Sequence, residues 1–143
     1  MRPLAHGAAH HCFGCGKANR SGLRLNFLVS DEGLIVCRTK IPARFEGPPG
    51  YVHGGVIATL LDEAMSKANR ACNVIAMTRH LEVDYRRPVP LRSTIEITAR
   101  HLKAEGRKHF CEAEIRLHGE TLASGKALFI AVTKQFLLSR TKD

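Results

Sequence analysis

Apolar residues recur at helical spacing in only one long stretch of the chain. Between residues 53 and 72, Ile57, Leu61, Ala64, Met65, Ala68 and Cys72 fall on one stripe, which predicts an amphipathic helix. Everything around it reads as strand. Residues 22–30 and 34–41 are two strand candidates joined at Asp31-Glu32-Gly33, a sequence with hairpin chemistry. After the helix, residues 77–85 alternate through Leu81, Val83 and Tyr85 until Pro88 and Pro90 end the run. Residues 93–102 alternate in Ile95 and Ile97, and 108–117 follow the Glu105-Gly106 turn. Residues 122–132 follow Gly119-Glu120 and close the set. Two strands, one long helix and four strands on short turns imply an α+β domain over residues 22–134. Its antiparallel sheet of about six strands would curl around one buried helix. A single helix cannot cover both faces of such a sheet, so self-association is expected. Residues 1–21 carry Gly, His and Cys without periodicity and read as an N-terminal arm. Residues 135–143 read as a basic, frayed tail.

Composition narrows the class. At 143 residues, 44% hydrophobic and 24% charged, this is one globular domain with a core of its own. The first residues hold no apolar h-region and no run reaches membrane-spanning length, so a cytoplasmic protein with no membrane partner is expected. The cysteines number five, and Cys37, Cys72 and Cys111 sit inside periodic apolar segments. Buried free thiols in a reducing compartment fit that better than disulfides. A net charge of +9 favours an anionic partner, either nucleic acid or a phosphorylated small molecule. Two tyrosines, no tryptophan and no dense Lys/Arg block argue against nucleic acid.

The candidate chemistry gathers where a stiff Gly/Pro loop, residues 45–53, meets the helix. Gly54 and Gly55 stand at the helix start, where backbone N–H groups lack intrahelical partners and the dipole is positive. That environment suits an oxygen developing negative charge. Asp62 and Glu63 follow two turns later, about 100° apart on the helix, so only one of them can point into a given site. Glu63 has Lys67 at i+4, which reads as a solvated ion pair. Asp62 lies in line with Gly55, Ala58, Ser66 and Asn69, all small enough to admit a ligand or a second helix, and is the better candidate for chemistry. His53 is read equally as a helix-start residue bonding a loop and as a direct participant. No Gly-x-Ser-x-Gly elbow supports a serine nucleophile. Cys12-x-x-Cys15 beside His10 and His11 is either a zinc half-site or a Gly-stabilised turn. Two cysteines leave a metal half-coordinated, so the arm is expected to be structural and metal-free. Arg86, Arg87, Arg107 and Lys108 flank strand ends and are candidates for phosphate contact.

These residues also carry a resemblance. Gly50-Tyr51-Val52-His53-Gly54-Gly55, then Leu60-Leu61-Asp62, then Thr78 leading into Val83-Asp84-Tyr85-Arg86-Arg87-Pro88, resemble the hotdog-fold acyl-CoA thioesterases. The similarity is to the branch containing the phenylacetate-pathway enzymes and the eukaryotic thioesterase-superfamily members. Cys12-Phe13-Gly14-Cys15-Gly16 with Asn19 and Gly22-Leu23 is similar to a feature of one subgroup. The resemblance implies a homodimer or dimer of dimers that hydrolyses an acyl-CoA without a cofactor. It implies that the Gly54 N–H, with Gly55, polarises the thioester carbonyl and that Asp62 of the other subunit acts as base or nucleophile. Thr78 would hold the water, and His53 would shape the loop near the thioester. Where some members carry Asn six residues before that His, this chain has Gly47, which is then part of the substrate-binding loop. A dehydratase on the same fold would need His where Arg44 stands, and a hydratase would need Asp at Pro48. A non-catalytic acyl-CoA binder needs only the groove.

Overall fold

A computed structural model describes residues 1–4 and 10–140 of the chain. The predicted helix is present as α1, Gly54–Ala71, with His53 and Cys72 as its caps. It stops where Asn73 takes a left-handed φ of 61°. The N–H of Val74 then bonds the Asn69 carbonyl and that of Asn73 bonds Arg70, which together satisfy the last carbonyls of the helix. Ile57, Leu60, Leu61, Ala64, Met65 and Ala68 are buried, so the stripe is wider than the spacing implied. Burying each large member of that set is worth about 1.5–3 kcal/mol. Cys72, expected to be a buried thiol, is exposed at the C-cap, whereas Cys15, Cys37 and Cys111 are buried.

Among the described residues the sheet has seven strands, where about six were expected. In chain order they are β1 Arg2–Pro3, β2 Leu28–Val29, β3 Ile35–Thr39, β4 Ala76–Tyr85, β5 Ile95–Glu105, β6 Lys108–Leu117 and β7 Glu120–Ala131. All pairings are antiparallel, in the spatial order β1-β2-β3-β5-β6-β7-β4. The β6–β7 hairpin turns through His118 and Gly119, both at positive φ, the geometry that matches strand twist in a two-residue loop. Ala99, Ala113 and Gly125 lie side by side on β5, β6 and β7. A Cβ on Gly125 would come within 3.4 Å of the Leu61 side chain. This row of small residues is what lets α1 settle into the curl of the sheet, as the hotdog arrangement requires. Among the described residues β4 forms one edge, bonded only to β7, and most of its residues are exposed.

The two ends of the chain depart from expectation. Of residues 22–30 only Leu28–Val29 form a strand, although Leu25, Phe27 and Val29 are buried on alternation. Their upstream partner is the arm itself: Leu23 and Leu25 donate to the carbonyls of Phe13 and Gly14, and β1 pairs with β2. Arg44 ties the arm down by donating to the Gly22 carbonyl at 2.8 Å. The described part of the arm is therefore packed structure; residues 5–9 lie outside the described residues. At the other end, the stretch expected to fray forms α2, Lys134–Arg140, with the Thr133 hydroxyl accepting from the Phe136 N–H as a cap. Residues 141–143 of that tail lie outside the described residues.

Candidate active site

The loop preceding α1 is fixed by its own backbone. Gly50 adopts a φ of 87° in the turn that bonds Tyr51 N–H to the Pro48 carbonyl. Gly47 donates to Tyr51, and the Glu46 carboxylate accepts from the Gly50 N–H. Val52 and Leu91 anchor the loop to the segment after β4 through Val89 and Gly50. His53 N–H donates to Phe45, and the His53 carbonyl receives both Val56 and Ile57. The chain thus arrives at the helix start in one defined orientation.

Gly54 and Gly55 then differ sharply. His53 Nδ1 accepts the Gly55 N–H at 2.9 Å, so that donor is used by the cap. A ring nitrogen that accepts carries no proton, which puts the proton of the neutral ring on Nε2. The Gly54 N–H has no acceptor among the described residues. It is the free donor at the positive end of α1, and Gly55, which the resemblance had placed beside it as an accessory donor, is occupied. Tyr85, the last residue of β4, places its hydroxyl 2.8 Å from the Gly54 carbonyl and donates to it. Nothing in the spacing of Tyr85 had marked it as part of this site. Its hydrogen bond locks the first turn of α1 to the sheet edge.

Gly47 has a steric reason for being glycine. A Cβ there would lie 2.7 Å from the Cα of His53. Any side chain at this position must push the loop off the helix start.

Asp62 faces β4. Thr78 Oγ1 donates to Asp62 Oδ1 at 2.6 Å, a short charge-assisted bond that fixes the carboxylate and leaves Oδ2 for another partner. Thr78 therefore binds the carboxylate itself, within one chain. Directly after it the β4–β7 register shifts between Thr78 and His80, a bulge of the kind that re-aims a strand. Burial raises the Asp62 carboxyl above its ordinary range; the Thr78 hydrogen bond opposes this, and the charge of Glu63 adds to it. A carboxylate so placed is a stronger base than a solvated one.

Glu63 is not the solvated partner of Lys67 that the i+4 spacing suggested. The two lie 3.7 Å apart with only 15% and 12% of their side chains exposed, because the arm covers them. The basic candidates fall into two groups. Arg86 and Arg87 follow Tyr85 at the helix-start end of β4, and are exposed beside Asp84 and Glu120. Arg107 and Lys108 lie at the other end, since Lys108 pairs with Ile130 and Ile130 with Met77.

Residues 49–124 match the family described as Thioesterase superfamily. The acyl-coenzyme A thioesterase THEM4 of Xenopus laevis is 39% identical over 73% of this chain and 48% of its own length. The chain spans about half the length of the curated relatives it matches. A solved protein described as a thioesterase superfamily protein superposes with a TM-score of 0.77 at 31% identity, over 80% of this chain and 60% of that one. A hypothetical thioesterase of Streptococcus pneumoniae TIGR4, solved with coenzyme A, shares the fold with a TM-score of 0.71 at 16% identity, covering 76% and 88%.

Proposed function

The chain belongs to the thioesterase superfamily, and we propose that it hydrolyses an acyl-CoA to free CoA and a carboxylic acid. Asp62 removes a proton from water through Oδ2, the hydroxide attacks the thioester carbonyl, and the Gly54 N–H receives the developing oxyanion. Collapse of the tetrahedral intermediate expels the CoA thiolate. His53 acts by holding the Gly55 N–H and the loop, and Thr78 by holding the carboxylate. The observation that carries this reading is the Thr78–Asp62 bond on a partly buried, raised carboxyl beside a helix start with one unused donor.

Distance bears on how many chains the reaction uses. Gly54 and Asp62 are separated by eight residues of α1, about 12 Å along the axis. A carbonyl oxygen and its attacking water, hydrogen-bonded at about 3 Å on each side, reach about 9 Å at full stretch. One chain therefore joins the two groups only in a fully stretched pose, and a site shared between two chains removes that constraint. β4 offers the solution: it is an open sheet edge with Thr78 near its start and Tyr85 at its end. Antiparallel pairing of two β4 strands about a two-fold near their middle sets Thr78 and Asp62 of one chain beside Tyr85 and Gly54 of the other. Two identical sites result. Arg86 and Arg87 of one chain and Arg107 and Lys108 of the other then flank each site, where CoA phosphates require cations. No described helix is long and apolar enough to cross a membrane. All five cysteines are free, which suits a reducing compartment such as the cytoplasm.

The test is a hydrolysis screen over short, medium, long and aryl acyl-CoAs with a thiol-detecting readout. Turnover of at least one class that Asp62→Asn removes supports the reading. Tight acyl-CoA binding with no turnover would show a non-catalytic binder.

A further inference from the structure

The arm does more than lie on the domain. Its Cys12–Cys15 turn, closed by the Gly16 N–H on the Cys12 carbonyl at 2.9 Å, sits directly over Glu63 of α1. The Sγ atoms of Cys12 and Cys15 and a carboxylate oxygen of Glu63 all lie within 4.8 Å of one another. Both Glu63 oxygens are 3.8 Å from Cys12 Sγ. Lys67 Nζ stands 3.1 Å from Cys15 Sγ. Gly14 makes this approach possible, because a Cβ on it would come within 2.7 Å of the Glu63 carboxylate.

We propose that Cys12, Cys15 and Glu63 bind a zinc ion that clamps the N-terminal arm onto α1. Zinc takes sulfur at about 2.3 Å and carboxylate oxygen at about 2.0–2.2 Å, and tetrahedral bonding at those lengths holds donor atoms about 3.5–3.8 Å apart. The observed set is close to that spacing without a large rearrangement. The donors also select the metal: two thiolates with one carboxylate suit zinc and not magnesium or calcium. Charge closes as well. Two thiolates and a carboxylate carry three negative charges, which the dication and the Lys67 ammonium balance. Lys67 then donates to the Cys15 sulfur as an outer-shell partner. The fourth position falls to solvent on the exposed side of Cys12. Two cysteines alone had left a metal half-coordinated; α1 supplies the third ligand, and only the folded arm brings it into reach. The role is structural, since Glu63 turns toward the arm while Asp62 turns toward Thr78. It is independent of the hydrolase reading.

The test uses the full chain, produced in zinc-supplemented medium and purified without a metal-affinity step. Elemental analysis should find about one zinc per chain, and a strong chelator should lower the melting temperature. Cobalt exchanged into the site should show thiolate-to-metal charge-transfer absorption. Cys12→Ser with Cys15→Ser should cut zinc to under about a tenth per chain and abolish the chelator effect. Gly14→Ala keeps every ligand and meets only the flexible end of Glu63; it should lose zinc at least tenfold in affinity. The proposal is overturned by wild-type protein that is folded but zinc-poor with two reactive thiols at the arm. It is overturned equally by a Cys12–Cys15 disulfide in the freshly purified protein, or by zinc content unchanged in the double variant.

Discussion

Replacing Asp62 with Asn removes the proposed base while leaving almost every other atom in place. The Asn carbonyl oxygen can still accept the Thr78 hydroxyl that now lies 2.6 Å from Oδ1, so the α1–β4 contact survives. Loss of a positioned base costs about 10²–10⁴ in rate, or about 3–5 kcal/mol in the barrier. The loss should fall on kcat, with KM for the acyl-CoA changed little, because Asp62 acts on water and not on the bound ground state. Stability should move the other way. The Asp62 carboxyl is raised in the folded chain, first by burial and then by Glu63, against the Thr78 bond. Its folded value therefore lies above its unfolded value. Between the two the folded state holds a proton that the unfolded state releases, so stability falls as pH rises through that interval and stays lowered above it. Asn has no such penalty. Thermal melts of Asp62→Asn should match wild type below the ordinary carboxylate range, gain on it as pH rises, and hold a constant advantage at neutral pH. Full turnover in the variant, or a variant less stable than wild type at neutral pH, would refute the assignment. Activity lost in Glu63→Gln but kept in Asp62→Asn would invert it.

Thr78→Val keeps the shape of the side chain and deletes the donor. It should lower kcat by about tenfold, the worth of one charge-assisted hydrogen bond, and shift the acid limb of the rate–pH profile to higher pH because the interaction that favoured the ionised carboxylate is gone. Tyr85→Phe should cost about 0.5–1.5 kcal/mol in thermal or denaturant unfolding and lower turnover, as the first turn of α1 loses its tie to β4. Gly47→Asn should not restore a family-like site; the clash with His53 should destabilise the chain by about 1–3 kcal/mol and reduce kcat, measured by melts and turnover together. Light scattering of active protein should give at least the mass of a dimer, and an active monomer would refute the two-chain site.

What the sequence made legible follows from the range of the forces involved. α1, β5, β6 and β7 carry their burial in their own periodicity, and β4 shows it only at half-buried Leu81 and Val83, so their order and, to within a few residues, their ends could be read directly. The arm could not. β1 is two residues long, too short for any period, and its order depends on Val29 and Leu28 far along the chain. Leu25 and Phe27 showed the alternation of a strand, but nothing local reveals that their neighbour is an irregular turn at Phe13 and Gly14. The same long-range packing explains Glu63. Its i+4 relation to Lys67 was correct, and both lie off the main apolar stripe, yet the arm folds over them and turns a surface pair into a covered one. The case for Asp62 rests on the opposite kind of signal. Its small neighbours at i±4 and i±7 belong to its own helix, so the reading needed nothing distant, and the structure adds the Thr78 bond.

Gly47 shows how a departure from a family pattern can be a packing condition. With Asn absent, the sequence left open what orients the thioester carbonyl. The loop answers part of this: the backbone of residue 47 lies so close to His53 that no side chain fits, and that closeness delivers His53 to the N-cap with its Nδ1 on Gly55. Capping Gly55 leaves the Gly54 N–H as the one unused donor at the helix start, and Tyr85 pins the same residue through its carbonyl. A single backbone donor held rigidly from both sides can orient an oxyanion without a side-chain amide, since preorganisation rather than donor identity carries most of the electrostatic stabilisation. On the proposed mechanism, the glycine that replaces the side-chain amide is what frees the backbone to take that part.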